Sequence, residues 1–123
     1  MLTAAIIVCA SLYAIDGDTA KCDGTNLRML GDGTPYVDGV DTPESGKRAK
    51  CPYERQLAEK ATRRFAELLR DPNLTIEDSG ERGPFNRPLV RFRLGDGRTA
   101  GAILLSEDLA RVWHRGRHID WCR

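Results

Sequence analysis

Apolar and polar positions fall into short runs separated by glycine, aspartate and proline, a pattern of short strands and tight turns with one exception. Residues 6–15 are rich in β-branched and apolar side chains and read as a first strand, closed by the Asp16-Gly17 turn. Residues 19–22 form a short second strand, and Asp23-Gly24 is a hairpin-type turn. Residues 27–30 give a third strand with Leu27 and Met29 on one face, completing an antiparallel meander. The exception begins at Pro52, a favoured first helical residue. From there Leu57, Ala61, Phe65 and Leu68 recur at helical spacing among Arg, Lys and Glu, so a helix is expected to about residue 70, stopped by Asp71-Pro72.

Beyond the helix, residues 73–77 alternate Leu74 and Ile76 as a fourth strand. Residues 79–84 read as a loop, and residues 88–94 alternate apolar positions with Arg91 and Arg93 as a fifth strand. Residues 100–105 and 108–112 read as two short helices. Five short strands with a helix after the third predict an α+β, mainly β, fold. The expected form is a five-stranded Greek-key barrel of the oligonucleotide-binding type with short C-terminal helices.

Composition narrows the class. A chain of 123 residues, 41% hydrophobic and 30% charged, suits one domain over residues 1–123. The net charge of +1 gives no global basic field, so an anionic partner must be met by a local patch. The apolar start, residues 2–12, is too short for a membrane span. It resembles the end of a secretory leader, though no Lys or Arg precedes it. Residues 1–5 are read as leader remnant or frayed end. No membrane association is expected, and the protein is read as a monomer.

The four cysteines allow three pairings, and none has the Cys-x-x-Cys spacing of a zinc site. Cys9 and Cys22 flank the Asp16-Gly17 turn almost symmetrically, so a hairpin brings them together. That leaves Cys51 with Cys122. Two disulfides imply an oxidising compartment, hence a secreted or periplasmic protein. The alternative is four buried thiols in a reducing one.

Two acidic turns carry the candidate chemistry. In Asp41-Thr42-Pro43-Glu44, Pro43 stiffens the corner and holds two carboxylates at a defined offset. Ile15-Asp16-Gly17-Asp18-Thr19 supplies a second pair. Carboxylates in different environments suit a hard cation and a general base, although each turn alone would ordinarily be just a turn. Ala20 occupies a position that an EF-hand would need as a ligand. His114 and His118 have helical metal-pair spacing, but Gly116 lies between them and no third ligand is apparent.

Together with Leu27-Arg28-Met29-Leu30, Asn86-Arg87-Pro88-Leu89 and Asp108-Leu109-Ala110-Arg111-Val112, these turns resemble the staphylococcal-nuclease-like (thermonuclease) family. The five blocks occur in the family's order and cover roughly residues 12–112. The resemblance implies an oligonucleotide-binding-type barrel and calcium-dependent hydrolysis of DNA or RNA, preferably single-stranded, leaving 3′-phosphates. It implies Asp18 and Asp41 as Ca²⁺ carboxylates, Thr42 as a carbonyl ligand, Glu44 as general base, and Arg28 and Arg87 as the phosphate clamp. Phe85 stands where the family often has an aromatic, so it is a candidate for base stacking; Trp113 and Trp121 are read either as stacking residues or as packing residues of the core or the disulfide. A binding module without catalysis, on the same barrel, is the alternative.

Two departures matter. Residues 31–39 intervene between Arg28 and the Asp41 corner, and the family's long C-terminal helix is largely missing. With turn signals at Asp32-Gly33 and Asp38-Gly39 around Pro35, residues 31–39 are expected to leave and return with their ends close, at small entropic cost. Arg28, opposite in face to Leu27 and Met29, would then still point into the site.

Overall fold

Tight turns set one half of the sheet. A computed structural model describes residues 5–32, 39–114 and 119–122. Strands β2 (Leu12–Ala14), β3 (Thr19–Cys22) and β4 (Thr25–Met29) form the expected meander, with Tyr13 opposite Lys21 and Thr19 opposite Arg28. Asp23 and Gly24 both take positive φ, as the hairpin turn requires. The Asp23 carboxylate also accepts the N–H groups of Ala10 and Ser11, which fastens the preceding segment to this turn.

The first strand of the sequence reading is in fact two. β1 (Ala5–Ile7) pairs with β6 (Thr75–Arg82), whereas β2 pairs with β3, so residues 8–11 cross from one sheet edge to the other. The sheet order is β1-β6-β7-β4-β3-β2, where β7 (Pro88–Arg93) runs parallel to β4 and antiparallel to β6. Laid flat, six strands would put β1 and β2 roughly 24 Å apart. The chain from Ile7 to Leu12 can span at most about 18 Å. The sheet therefore curls into a half-barrel. The fold is thus mixed α+β and mainly sheet, as expected, but with eight strands among the described residues instead of five.

Two further expectations are corrected. Residues 79–82 belong to β6, extended past an irregularity between Asp78 and Arg82, so the loop expected from residue 79 begins later. Residues 108–112 are not helical. Asp108 turns the chain at φ 61°, and β8 (Arg111–Val112) pairs with β5 (Val40–Asp41) as a two-stranded ribbon.

Helix α1 (Pro52–Leu68) starts as predicted, with Pro52 in its first turn and the Cys51 sulfur accepting the Glu54 N–H. Its buried face is Glu54, Ala58, Ala61, Phe65 and Leu68, and Leu57 is only half-buried. Phe65 meets Phe92 of β7 edge to face, with ring centroids 5.0 Å apart. Helix α2 (Ala100–Ser106) is capped by Thr99, whose hydroxyl accepts the Ala102 N–H. A Cβ at Gly101 would lie 2.4 Å from the Leu30 carbonyl oxygen, so only glycine lets α2 pack on that backbone.

Both disulfides are formed, Cys9–Cys22 and Cys51–Cys122. The second spans 71 residues and fastens the segment carrying buried Trp121, over whose ring Arg111 sits at 4.7 Å. Trp121 is thus a packing residue. On the chain-entropy estimate, closing such a loop stabilises by about 4 kcal/mol. The Cys51→Ser/Cys122→Ser protein is expected to show a fall of that order in urea unfolding at fixed pH. A loss under about 1 kcal/mol would mean the crosslink does not constrain the unfolded chain.

Candidate functional site

The acidic turn between β2 and β3 is built by its own side chains. Asp16 accepts the Asp18 N–H at 3.1 Å, and the Ile15 N–H donates to the Thr19 carbonyl at 2.9 Å. This turn points Asp18 inward, where it is 5% exposed. A buried carboxylate needs partners. Arg28 supplies one, with 3.1 Å from Nη1 to Asp18 Oδ2. The Thr19 hydroxyl supplies another, donating to Asp18 Oδ1 at 3.2 Å.

Arg28 emerges from β4 on the face opposite Leu27 and Met29, as its strand position predicts. Its Nη2 donates to the Val40 carbonyl at 2.8 Å. The excursion after Arg28 does close, since Leu30 and Gly39 form an antiparallel bridge. The Asp41 corner therefore stands beside Arg28. Pro35 and Asp38 lie outside the described residues, as does His118.

Arg87 comes from the other side, from the turn before β7. Its Nη1 donates to the Thr19 hydroxyl at 3.4 Å, and its Nε to the Pro84 carbonyl at 3.0 Å. Thr19 thus links the two arginines through Asp18. Burial and the nearby Arg28 charge lower the Arg87 pKa.

Asp41 is half-buried in β5, Thr42 is buried, and Glu44 is exposed. Glu54, 2% exposed, holds this corner from below. Its two oxygens accept the N–H groups of Glu44 at 2.9 Å and Lys50 at 2.8 Å. The acidic turn and the corner also touch directly. A Cβ on Gly17 would lie 2.9 Å from the Cβ atoms of both Thr42 and Ala61.

The sequence reading missed Thr19 and Glu54. Thr19 is the last residue of the Asp-Gly-Asp-Thr run, with nothing in its type to single it out. Glu54 had a signal, an acid three residues after the helix cap, where it can reach free N–H groups. Phe85 is 93% exposed at φ 61°, with the Arg87 guanidinium carbon 5.7 Å from its ring centre.

The chain matches no protein-family model, and no curated protein sequence matches it. The functional reading therefore stands on these residues and their arrangement.

Electrostatics tests whether a cation fits. Burial, then the Asp18 carboxylate, raises Asp41 from 3.8 to about 6, against the pull of Arg28, and Glu44 adds to the rise. Burial, then Asp18, raises Asp16 to about 7. Three neighbouring aspartates face two guanidiniums, Arg28 paired with Asp18 and Arg87 within electrostatic reach of Asp16 and Asp18, so acids still outnumber cations. Their donors are all oxygens, which suits a hard cation. Among the described residues no three acidic, His or Cys side chains converge tightly enough to enclose an ion alone, so other oxygens would have to complete its shell.

These shifts have a thermodynamic sign. A carboxyl whose pKa is raised on folding contributes stability that is complete below its unfolded value and lost as pH rises through its folded value. For Asp41 that window is about pH 4 to 6, and for Asp16 about 4 to 7. In chelator, Asp41→Asn is expected to lose less stability than wild type between pH 4 and 7, measured by urea midpoints. Parallel pH profiles would contradict this assignment.

Proposed function

We propose that the protein is a calcium-dependent nuclease of the thermonuclease-like kind, acting on phosphodiester bonds of DNA or RNA from an oligonucleotide-binding-type barrel. One observation carries the reading: Arg28 of β4 and Arg87 of the turn before β7, far apart in sequence, meet around Asp18 and Thr19 with the Asp41–Glu44 corner alongside. A binding module has no need of three acids in a site meant for phosphate, since they repel it.

Asp18, Asp41 and the Thr42 carbonyl would hold Ca²⁺, with Asp16 close by. When bound, the ion would neutralise their charge and offset that of the phosphate. Arg28 and Arg87 would donate to the non-bridging oxygens, where charge grows in the transition state. Glu44, exposed to solvent, would take a proton from the attacking water. Water's oxygen bonds to phosphorus, the bond to the 5′-oxygen breaks, and that oxygen takes a proton from solvent. The products are a 3′-phosphate and a 5′-hydroxyl. The two disulfides support a secreted or periplasmic setting. No helix among the described residues is long and apolar enough to cross a membrane.

The deciding experiment incubates single-stranded DNA with the disulfide-intact protein, with calcium or with chelator. Cleavage to 3′-phosphate ends only with calcium is expected. Binding without cleavage under both conditions would leave the binding-module reading instead.

A further inference from the structure

A second feature adjoins the arginine pair. An open groove of about 600 Å³ runs from Asp16 and Thr19 along the outer face of β3 and β4, walled by the turn that carries Phe85 and Arg87. Its cations are Lys21, Arg48, Arg82 and Arg87, and its one carboxylate is Asp16. In a chain of net charge +1 this is a concentrated positive patch.

Several arginines outside the groove are already paired: Arg28, Arg64, Arg93 and Arg98 each form an ion pair. Among the described residues, Lys21, Arg48 and Arg82 form none. Charged donors left unpaired along a groove suit a ligand that brings its own anions in series.

Spacing adds to this. Thr19 lies opposite Arg28, and one face-repeat along, Lys21 lies opposite Asn26. The two pairs are separated by roughly 6.6–7 Å, two residues of strand rise. That is about the reach of one extended nucleotide. A phosphate held by Arg28 and Arg87 would place its neighbour over Lys21 and Asn26.

Phe85 gives the groove a second kind of contact. A bulky side chain at positive φ is held there only where the surroundings impose it. Its ring projects into solvent beside the patch. Exposed aromatics beside cations form stacking platforms for unpaired bases, whatever their sequence.

We propose that this groove is a second nucleotide subsite, selecting single strands, in which Lys21, Arg48 and Arg82 take up the phosphate next to the scissile one and Phe85 stacks on its base. The inference rests on the nuclease reading of the adjacent site. The occupant is a single-stranded nucleic acid and not an acidic peptide, because a peptide would leave Phe85 without a planar partner.

The test uses the full, disulfide-intact chain carrying Glu44→Gln, with calcium present, so that the strand stays whole. Binding of a fluorescent hexathymidylate is followed by anisotropy across a salt series. Adding Lys21→Gln, Arg48→Gln and Arg82→Gln together should weaken binding at least about tenfold at low salt. It should also lower the slope of log affinity against log salt by about 0.7, the loss for one phosphate that is no longer neutralised. Adding Phe85→Ala instead should cost about tenfold with the slope unchanged, and remove the preference for the single strand over the same sequence in duplex. Unchanged affinity and slope in the triple variant would overturn the proposal, as would a hexaglutamate peptide competing as well as the oligonucleotide. If the expected losses appear but the unsubstituted protein cleaves nothing with calcium, the groove stands and the nuclease reading falls.

Discussion

Glu44→Gln is expected to fold as the parent does and to lose turnover by about 10²–10⁴, the usual worth of a general base. Its exposure means that no buried partner is lost. What holds the residue in place is its backbone N–H on Glu54, and the substitution leaves that bond intact. The amide keeps the carboxylate's shape and removes only the ability to accept a proton from water. Turnover on a single-stranded oligonucleotide with calcium, alongside a urea unfolding curve, checks both halves. A stable variant that cleaves like the parent would show that another group takes the proton. Glu54→Gln makes the contrasting control. It puts an NH₂ where one of two backbone donors now finds an oxygen, so stability should fall by about 1–3 kcal/mol.

Arg28→Ala and Arg87→Ala should each cost about 10²–10³ in turnover, the typical loss for one donor aimed at developing charge. They should differ in stability. Removing Arg28 strips Asp18 of its cation and the Val40 carbonyl of its donor, in a part of the protein with little water to replace them. A further loss of about 1–3 kcal/mol in folding is expected. Removing Arg87 gives up a long hydrogen bond of 3.4 Å to the buried Thr19 hydroxyl, which keeps Asp18 as a partner, and an exposed one to the Pro84 carbonyl, with little effect on folding. Kinetics and urea midpoints on the two variants, run side by side, separate the roles. If only Arg87→Ala loses turnover, Arg28 serves the fold by neutralising Asp18 and does not touch substrate.

The sequence was most legible where chemistry is local. Asp23-Gly24 dictated a hairpin, Pro52 a helix start, and the β4 alternation the outward face of Arg28. The disulfides followed from turn symmetry and elimination, although Cys9 sits just outside the β2–β3 ladder and not within it. Legibility failed where the partner is distant. An apolar run such as residues 6–15 shows that side chains will be buried, but not that its two halves pair at opposite edges of one curled sheet. Residues 111–112 form a strand only because Val40 and Asp41 are there to pair with, and a two-residue strand has no period to read. The acids and arginines of the site could be listed from the chain. The hydroxyl of Thr19 between them, and the Glu54 carboxylate beneath the corner, depend on how separate segments come together.

Gly17 has a consequence for how the site responds to its surroundings. Its φ is one that any residue can adopt, so what it supplies is room: the acidic turn rests directly on Thr42 and Ala61. Repulsion between closed shells rises steeply with approach and is indifferent to protons and ions, whereas attraction between charges is screened by salt. The distance between the two carboxylate-bearing loops is thus bounded below by a mechanical stop, set by the Thr42 side chain, with Ala61 of α1 bounding the turn from the helix. Ionic strength can weaken the pull of Arg28 on Asp18 and of the groove on an anion, but it cannot push the loops closer together.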